Sequence, residues 1–359
     1  MPRKHNHIKK TKVTSLNAPL VSPFRVATGQ HDSLENILFS IELADGTNGF
    51  GEAAVATHIT GETIGETTKN LKTIGQWLVG RDIDDYLKLS AGLHERLPKN
   101  KSALAAIEMS LMDALTRQWQ IPLWKFFGPT AKRLVTDITI VIGDLKETQD
   151  ATRQYFQQGF RTFKVKVGKN FNLDYDRVMA VHRVAKNSKI ILDANQGFSA
   201  DETLRFIKML KRAGIKPVLI EQPVPKADWE GLKKVTRLAG IAVCADESVS
   251  TLADAAKAIR EKAVNAINIK LMKTGIFHSR EIALLAKANG IKLMIGGMME
   301  SSLAMTASAH LAAGLGGFDF IDLDTPFFIK DGRKNNPYLS SNGVYDLRKV
   351  KAGIGIHLS

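Results

Sequence analysis

Five charged side chains each stand at the end of a separate apolar run: Lys166 in TFKVKVG, Asp193 in KIILDANQG, Glu221 in PVLIEQPV, Asp246 in IAVCADES and Lys270 in NAINIKLM. Their spacings by subtraction are 27, 28, 25 and 24 residues. Three carboxylates gathered in one low-dielectric place repel one another, and a hard divalent cation removes that repulsion. Oxygen ligands without histidine or cysteine favour Mg²⁺ over zinc, with Mn²⁺ the other candidate. Taken singly, each carboxylate is more often a helix cap or an ion-pair partner; their common phase favours a metal site. Lysines flank the acidic triad, Lys164 and Lys166 on one side and Lys270 on the other. A lysine acts as a general base only when its pKa is lowered, which burial, a like-charged neighbour or a cation achieves. Such a set suits removal of a proton next to a carboxylate, because the weak carbon acid needs electrostatic stabilisation of the anion formed. Two lysines on opposite faces would take the proton from one side and return it on the other, inverting the carbon.

For these residues to meet, the chain must bring the ends of the apolar runs to one place. Eight such runs, from TDITIVIG at 136–143 to FDFIDLD at 318–324, alternate with amphipathic helical stretches such as DETLRFIKMLKRAG. That rhythm predicts an α/β fold, a parallel (β/α)8 TIM-type barrel over 129–328, with a doubly wound sheet as the architectural alternative. Active sites of barrels form at the C-terminal ends of the strands, where all five charges fall. In TFKVKVG, Phe163, Val165 and Val167 share one face of a strand while Lys164 and Lys166 share the other. Alone, this reads as a strand with one wet face; within a barrel it turns both lysines to the mouth. The first third differs: LENILFSIELADGTNGFGEA reads as two strands about a DGTNG turn, and residues 102–119 as a largely buried helix opened by Ser102. The expected organisation is an α+β capping domain over 1–128, the barrel, and a C-terminal tail over 329–359 that returns to the capping domain.

Composition bounds the function. A net charge of +14 raises nucleic-acid binding, but beyond MPRKHNHIKKTK, read as a frayed basic arm over 1–12, the basic residues are dispersed and no nucleic-acid-binding signature occurs. No apolar run approaches a membrane span, so no membrane partner is expected. The single cysteine, Cys244, reads as a buried, inert thiol suited to a reducing, cytoplasmic compartment. Homo-oligomerisation is left open.

These segments resemble the enolase superfamily, its muconate-lactonising subgroup, and within it the dipeptide epimerases of the L-Ala-D/L-Glu epimerase kind. The similarity runs through SPFRVATG, GFGEA, SALAAIEMSLMDAL, FKVKVGK, LDANQGF, EQPV, ADESV, INIKLMKTG, GGMMESSL and DLDTPF. The resemblance implies Lys166 and Lys270 as the two acid/base groups, Lys164 as an electrostatic helper, and Asp193, Glu221 and Asp246 as Mg²⁺ ligands. It also implies that Asp322 and Asp324 hold the ammonium of a small dipeptide substrate, which suits two acceptor-only anions. Relatives acting on Ala-Glu carry an arginine in the capping loop where this chain has Gly29, with Arg25 four residues earlier. Loss of that arginine disfavours an acidic second residue. His58 is expected as a pocket wall and Met298 as a lining residue. The same scaffold also serves N-acylamino acid racemases, o-succinylbenzoate synthases and muconate-type cycloisomerases; a basic binding protein on a catalytically dead barrel is the rival of another class.

Overall fold

The computed structural model describes residues 6–27, 29–128 and 133–356; the side chain of His58 lies outside the described residues. In the N-terminal third, β1 (Ile8–Val26), β2 (Gly29–Leu43) and β3 (Asn48–Ala53) form an antiparallel sheet in the order β1-β2-β3. The short helix α1 (Thr57–Thr60) and the helices α2 (Ile64–Leu78), α3 (Tyr86–Arg96), α4 (Lys101–Gln118) and α5 (Leu123–Phe127) follow. The arm expected over 1–12 is corrected here. Residues 1–5 lie outside the description, but from Ile8 onward the chain is strand, with Lys10 opposite Glu42 and Lys12 opposite Ser40. Two of its lysines are paired: the ammoniums of Lys9 and Lys10 meet Glu42 at 3.1 and 2.7 Å. Basic residues read as a loose tail, yet a strand with Ile8 buried beneath it tolerates them on its wet face.

The GFGEA segment explains how β3 and α4 meet. A Cβ on Gly51 would lie 1.9 Å from the Ala106 carbonyl oxygen, and one on Gly49 2.1 Å from that of Ser110. Ala106, Ser110 and Ala114 recur every fourth residue, a stripe of small side chains on one face of α4 that lets the backbones approach. The other side of α4 packs on the barrel, so every residue from Ser102 to Thr116 is buried.

After β4 (Arg133–Val135), the barrel runs β5 (Ile138–Ile140), α6 (Leu145–Gln158), β6 (Thr162–Lys166), α7 (Phe171–Val184), β7 (Lys189–Asp193), α8 (Ala200–Arg212), β8 (Leu219–Glu221), α9 (Trp229–Leu238), β9 (Ala242–Ala245), α10 (Leu252–Arg260), β10 (Ala266–Ile269), α11 (Leu271–Ala288), β11 (Lys292–Ile295), α12 (Ser302–Leu315) and β12 (Phe320–Ile321). The eight strands from β5 to β12 pair in sequence order, all in parallel where register is resolved. The ring closes where the Asp137 N–H donates to the Ile321 carbonyl at 2.9 Å. A (β/α)8 barrel with an N-terminal α+β domain is therefore the fold. The tail contributes β13 (Val344–Asp346), antiparallel to β4, and its Ile354 N–H donates to Asp113 of α4 at 2.7 Å.

Strand alternation fills the barrel in layers. Ile191, Leu219, Cys244, Ala266 and Met294 form a separate small cluster inside it. Two residues further along their strands stand Asp193, Glu221, Asp246 and Asn268, so an apolar plug underlies a polar floor. Cys244 belongs to the plug; burial pushes its thiol well up, as expected of an inert cysteine.

Candidate active site

Lys164, Lys166 and Lys270 all reach the mouth of the barrel, at 2, 7 and 5% exposure. Buried ammoniums require partners, and each has them. Lys164 Nζ lies 2.6 Å from Asp322 Oδ2, 2.7 Å from Glu221 Oε2 and 3.0 Å from Asp193 Oδ2. Lys166 Nζ donates to the same Asp193 Oδ2 at 2.6 Å and to Asn195 Oδ1 at 3.2 Å. Lys270 Nζ donates to Asp246 Oδ2 at 2.8 Å, and Lys273 Nζ to Asp246 Oδ1 at 2.7 Å. The structure thus brings the lysines and the carboxylates predicted from sequence into one network spanning β6 to β10 and the segment after β12.

The supports of these groups lie in the same short motifs. At the end of β6 the buried Arg177 donates to the Lys166 carbonyl at 2.7 Å, while Asp174 accepts from the backbone of Gly168, Lys169 and Asn170. These bonds hold the strand end that carries Lys166. Gln222, with φ of +32°, directs its side-chain oxygen to the N–H groups of Asp246 and Ser248 at 3.0 and 3.1 Å, tying the Glu221 loop to the Asp246 loop. Asn195, with φ of +42°, is a second non-glycine residue held in the left-handed region at the mouth. Backbone strain of this kind persists where the surroundings over-determine it.

Electrostatics follows from burial and pairing. Burial disfavours the charged form of Asp193, but Lys164 and Lys166 outweigh it and hold the carboxyl below the usual range. Asp246 is depressed in the same way, against burial, by Lys270 and Lys273. Burial opposes the Lys270 ammonium, yet Asp246 and Glu221 raise it above the ordinary lysine range. Lys164 is raised likewise, against burial, by Asp193, Asp322 and Glu221. The lowered lysine pKa expected of a general base is therefore absent at Lys270 in this arrangement, because the acidic ring faces it directly. Glu221 differs: burial and then Asp193 push its carboxyl up, and its Oε1 accepts from Asn268 Nδ2 at 2.6 Å.

A pocket opens above this floor. Lys166 and Lys270 both line it, with Asp322 and Asp324 at its barrel side. Its remaining wall includes Phe24, Val26, Ile59, Met298 and Met299. Met298 is thus where sequence placed it, fixed by its N–H donating to Glu300 at 2.7 Å. Neither Gly29 nor Arg25 lines this pocket. Gly29 pairs with Val26 at the end of the β1–β2 hairpin, and Arg25 points away, its guanidinium 3.5 Å from Glu147. Alternation along β1 explains this, since Phe24 and Val26 face inward and Arg25 between them must face out. His58 belongs to α1, and its side chain lies outside the described residues; its neighbour Ile59 lines the pocket. Sequence reasoning missed Lys273, Asn195, Asn268 and Thr139. Asn268 precedes Lys270 by two residues and Lys273 follows it by three, so strand phase and one helical turn were the available signals.

Two family descriptions match the chain: the mandelate racemase / muconate lactonizing enzyme N-terminal domain over residues 8–128, and the enolase C-terminal domain-like family over 147–359. The chain belongs to the enolase superfamily. It is an enzyme, an isomerase of the racemase and epimerase kind. It is similar to the hydrophobic dipeptide epimerase of Citrifermentans bemidjiense, 49% identical over 97% of both chains. The aromatic dipeptide epimerase of Herpetosiphon aurantiacus is 39% identical, covering 98% of this chain and 99% of its own. Among solved structures, a dipeptide epimerase from Enterococcus faecalis complexed with Mg and the dipeptide L-Leu-L-Tyr superposes with a TM-score of 0.93 at 31% identity, covering 98% of this chain and 100% of that one. Among the described residues no helix is long and apolar enough to cross a membrane.

Proposed function

We propose that this enolase-superfamily enzyme is a Mg²⁺-dependent epimerase of dipeptides with apolar side chains, inverting the α-carbon of the C-terminal residue by proton transfer between Lys166 and Lys270. The observation that carries this is one pocket lined at once by both lysines, by Asp322 and Asp324, and by Phe24, Val26, Ile59, Met298 and Met299. The paired aspartates suit a substrate ammonium, which a free dipeptide has and an N-acylated amino acid lacks. The apolar wall suits uncharged side chains, and no arginine of the β1–β2 hairpin faces in to receive a carboxylate. The relatives named for hydrophobic and aromatic dipeptides support the same substrate class.

The residues also fit a divalent cation. Asp193, Glu221 and Asp246 offer only oxygen, and the buried Glu221 Oε2, which makes no well-aligned hydrogen bond among the described residues, already faces positive charge in the Lys164 ammonium 2.7 Å away. These three carboxylates would hold Mg²⁺, with Mn²⁺ the alternative, and the ion would supply positive charge to the substrate carboxylate. With Asp246 and Glu221 holding the ion, Lys270 would be relieved of the charges that now raise it. One lysine then accepts the α-proton and the other delivers a proton to the opposite face. Lys164, which keeps its contact with Asp322 whether or not a metal takes the other two carboxylates, would retain its charge and stabilise the anion formed at the substrate carboxylate. A reducing, cytoplasmic setting is proposed from the buried unpaired Cys244 alone.

The test is incubation with Mg²⁺ and a dipeptide library in D₂O, reading solvent deuterium at the C-terminal α-carbon. Uptake strongest in apolar dipeptides is expected. Uptake in N-succinyl amino acids and in no dipeptide would overturn the reading and favour the acylamino acid racemase alternative.

A further inference from the structure

Asp137 is a buried carboxylate beside the mouth to which the proposed reaction gives no task. It precedes β5 and, two residues before the pocket-lining Thr139, shares the inward face of that strand. Its exposure is 1%, and neither of its carboxyl oxygens has a hydrogen-bond donor among the described residues. One carboxyl oxygen each of Asp137, Asp322 and Asp324 lies within 4.8 Å of the other two. The charged groups facing Asp137 are Asp322 and Asp324 from the segment after β12 and Lys164 from β6.

Among the described residues the ammonium that acts on Asp137, that of Lys164, is already committed. Lys164 contacts Asp322, Glu221 and Asp193 and makes no bond to Asp137. Asp324 has its own partner, the Thr139 N–H, which donates to Oδ2 at 2.6 Å. An ionised Asp137 would therefore be a desolvated anion with no donor, set against two further anions. A proton resolves all three difficulties, since a carboxylic acid is neutral, needs no donor and can itself donate to a neighbouring carboxylate.

We propose that Asp137 is a carboxylic acid whose hydroxyl donates to Asp322, fixing Asp322 from beneath as one of the carboxylates that receive the substrate ammonium. Burial first, and then Asp322 and Asp324, push the Asp137 carboxyl well above the usual range, in agreement with this arrangement. Asp137 is a positioning residue: it acts through Asp322 and touches no reacting atom. It also sets the charge of the ammonium site, because a neutral Asp137 leaves two anions for one cation rather than three. The proposal rests on the dipeptide reading only for the identity of that cation.

The test has a spectroscopic arm that is independent of activity. Infrared difference spectra of the wild-type enzyme against Asp137→Asn, near neutral pH, are expected to show loss of one protonated-carboxyl C=O band in the variant. No band lost means an ionised Asp137 and overturns the proposal. So does a fall in bound Mn²⁺ in Asp137→Asn, which would make the three aspartates a metal site. The kinetic arm uses an apolar dipeptide that the wild-type enzyme epimerises. Asp137→Asn, whose amide can still donate to Asp322, should keep KM within about threefold, whereas Asp137→Leu should raise KM at least tenfold with kcat within about threefold. An unchanged KM in Asp137→Leu, or a collapse of kcat at unchanged KM, refutes the positioning role. Failure of every dipeptide to react would instead strike the functional reading and leave the infrared result standing.

Discussion

Lys164→Met is the substitution with the largest consequence the structure allows one to work out. The ammonium lies within 3.0 Å of carboxyl oxygens of Asp193, Glu221 and Asp322, all of them buried. Methionine keeps the length of the side chain and removes the charge, leaving three desolvated carboxylates short of their shared cation. Breaking a buried pair by deleting one partner costs about 3–5 kcal/mol. At roughly 2 °C per kcal/mol for a chain of this size, Tm should fall by about 6–10 °C in metal-free buffer. Two of the three stranded carboxylates belong to the proposed metal site, so Mg²⁺ should return part of the loss. At a free concentration of about 100 times Kd, the return is roughly 2.7 kcal/mol. The shift on adding Mg²⁺ should exceed that of the wild-type enzyme, in which the ion competes with the ammonium for the same oxygens. Scanning calorimetry of the two proteins with and without Mg²⁺ measures all four Tm values, and Lys164→Met/Glu221→Gln provides the control in which rescue should disappear. An unchanged Tm of Lys164→Met on adding Mg²⁺, or full rescue in the double variant, would refute the assignment of the metal to Asp193, Glu221 and Asp246.

Lys166→Ala and Lys270→Ala should each lower epimerisation by about 10²–10⁴, the usual contribution of a general acid or base; either variant turning over at the normal rate would end the two-lysine mechanism. Gly29→Arg returns a cation to the hairpin end next to the pocket. The ratio of kcat/KM for Ala-Glu to that for an apolar dipeptide should rise by about tenfold or more, as expected of a charged hydrogen bond worth about 1.5–3 kcal/mol. Burial and then Asp322 push the Asp324 carboxyl up to about 7. A group so raised is protonated below that pH, so the ammonium site loses a negative charge as pH falls and KM should rise toward tenfold per unit. Above about pH 8 the dipeptide α-amino group loses its own proton, so kcat/KM should be bell-shaped between these limits. A KM flat from pH 5.5 to 8 would exclude Asp324 from cation binding.

What could be read from the chain was whatever strand phase controls. The intervals between Lys166, Asp193, Glu221, Asp246 and Lys270 carry the length of one strand–helix unit, and a barrel converts equal intervals into neighbouring positions around one mouth. The apolar wall was less legible. Phe24 and Val26 are held over the barrel by bonds to residues far along the chain, the Ile142 N–H donating to the Arg25 carbonyl and the Val21 N–H to that of Phe328, and nothing local in SPFRVATG says which alternate set of that strand faces inward. Choosing Arg25 as a lining residue took the outward set, while Gly29, opposite the inward-facing Val26, is in phase with the wall but has no side chain to reach it. The basic arm failed for a related reason, since its lysines were weighed by composition while their acidic partner, Glu42, stands more than thirty residues away across the hairpin.

Asp137 shows where phase alone runs out. TDITIVIG places the aspartate before its strand, the end of a barrel strand at which stability rather than chemistry is expected. The ring, however, closes with a stagger: the Asp137 N–H donates to the Ile321 carbonyl and the Thr139 N–H to the Asp324 carboxyl. That offset sets the start of the first barrel strand beside the end of the last, and so brings Asp137 within reach of Asp322. Loss of the infrared band in Asp137→Asn would therefore report a contact that depends on how the barrel closes, not on any spacing within the run itself.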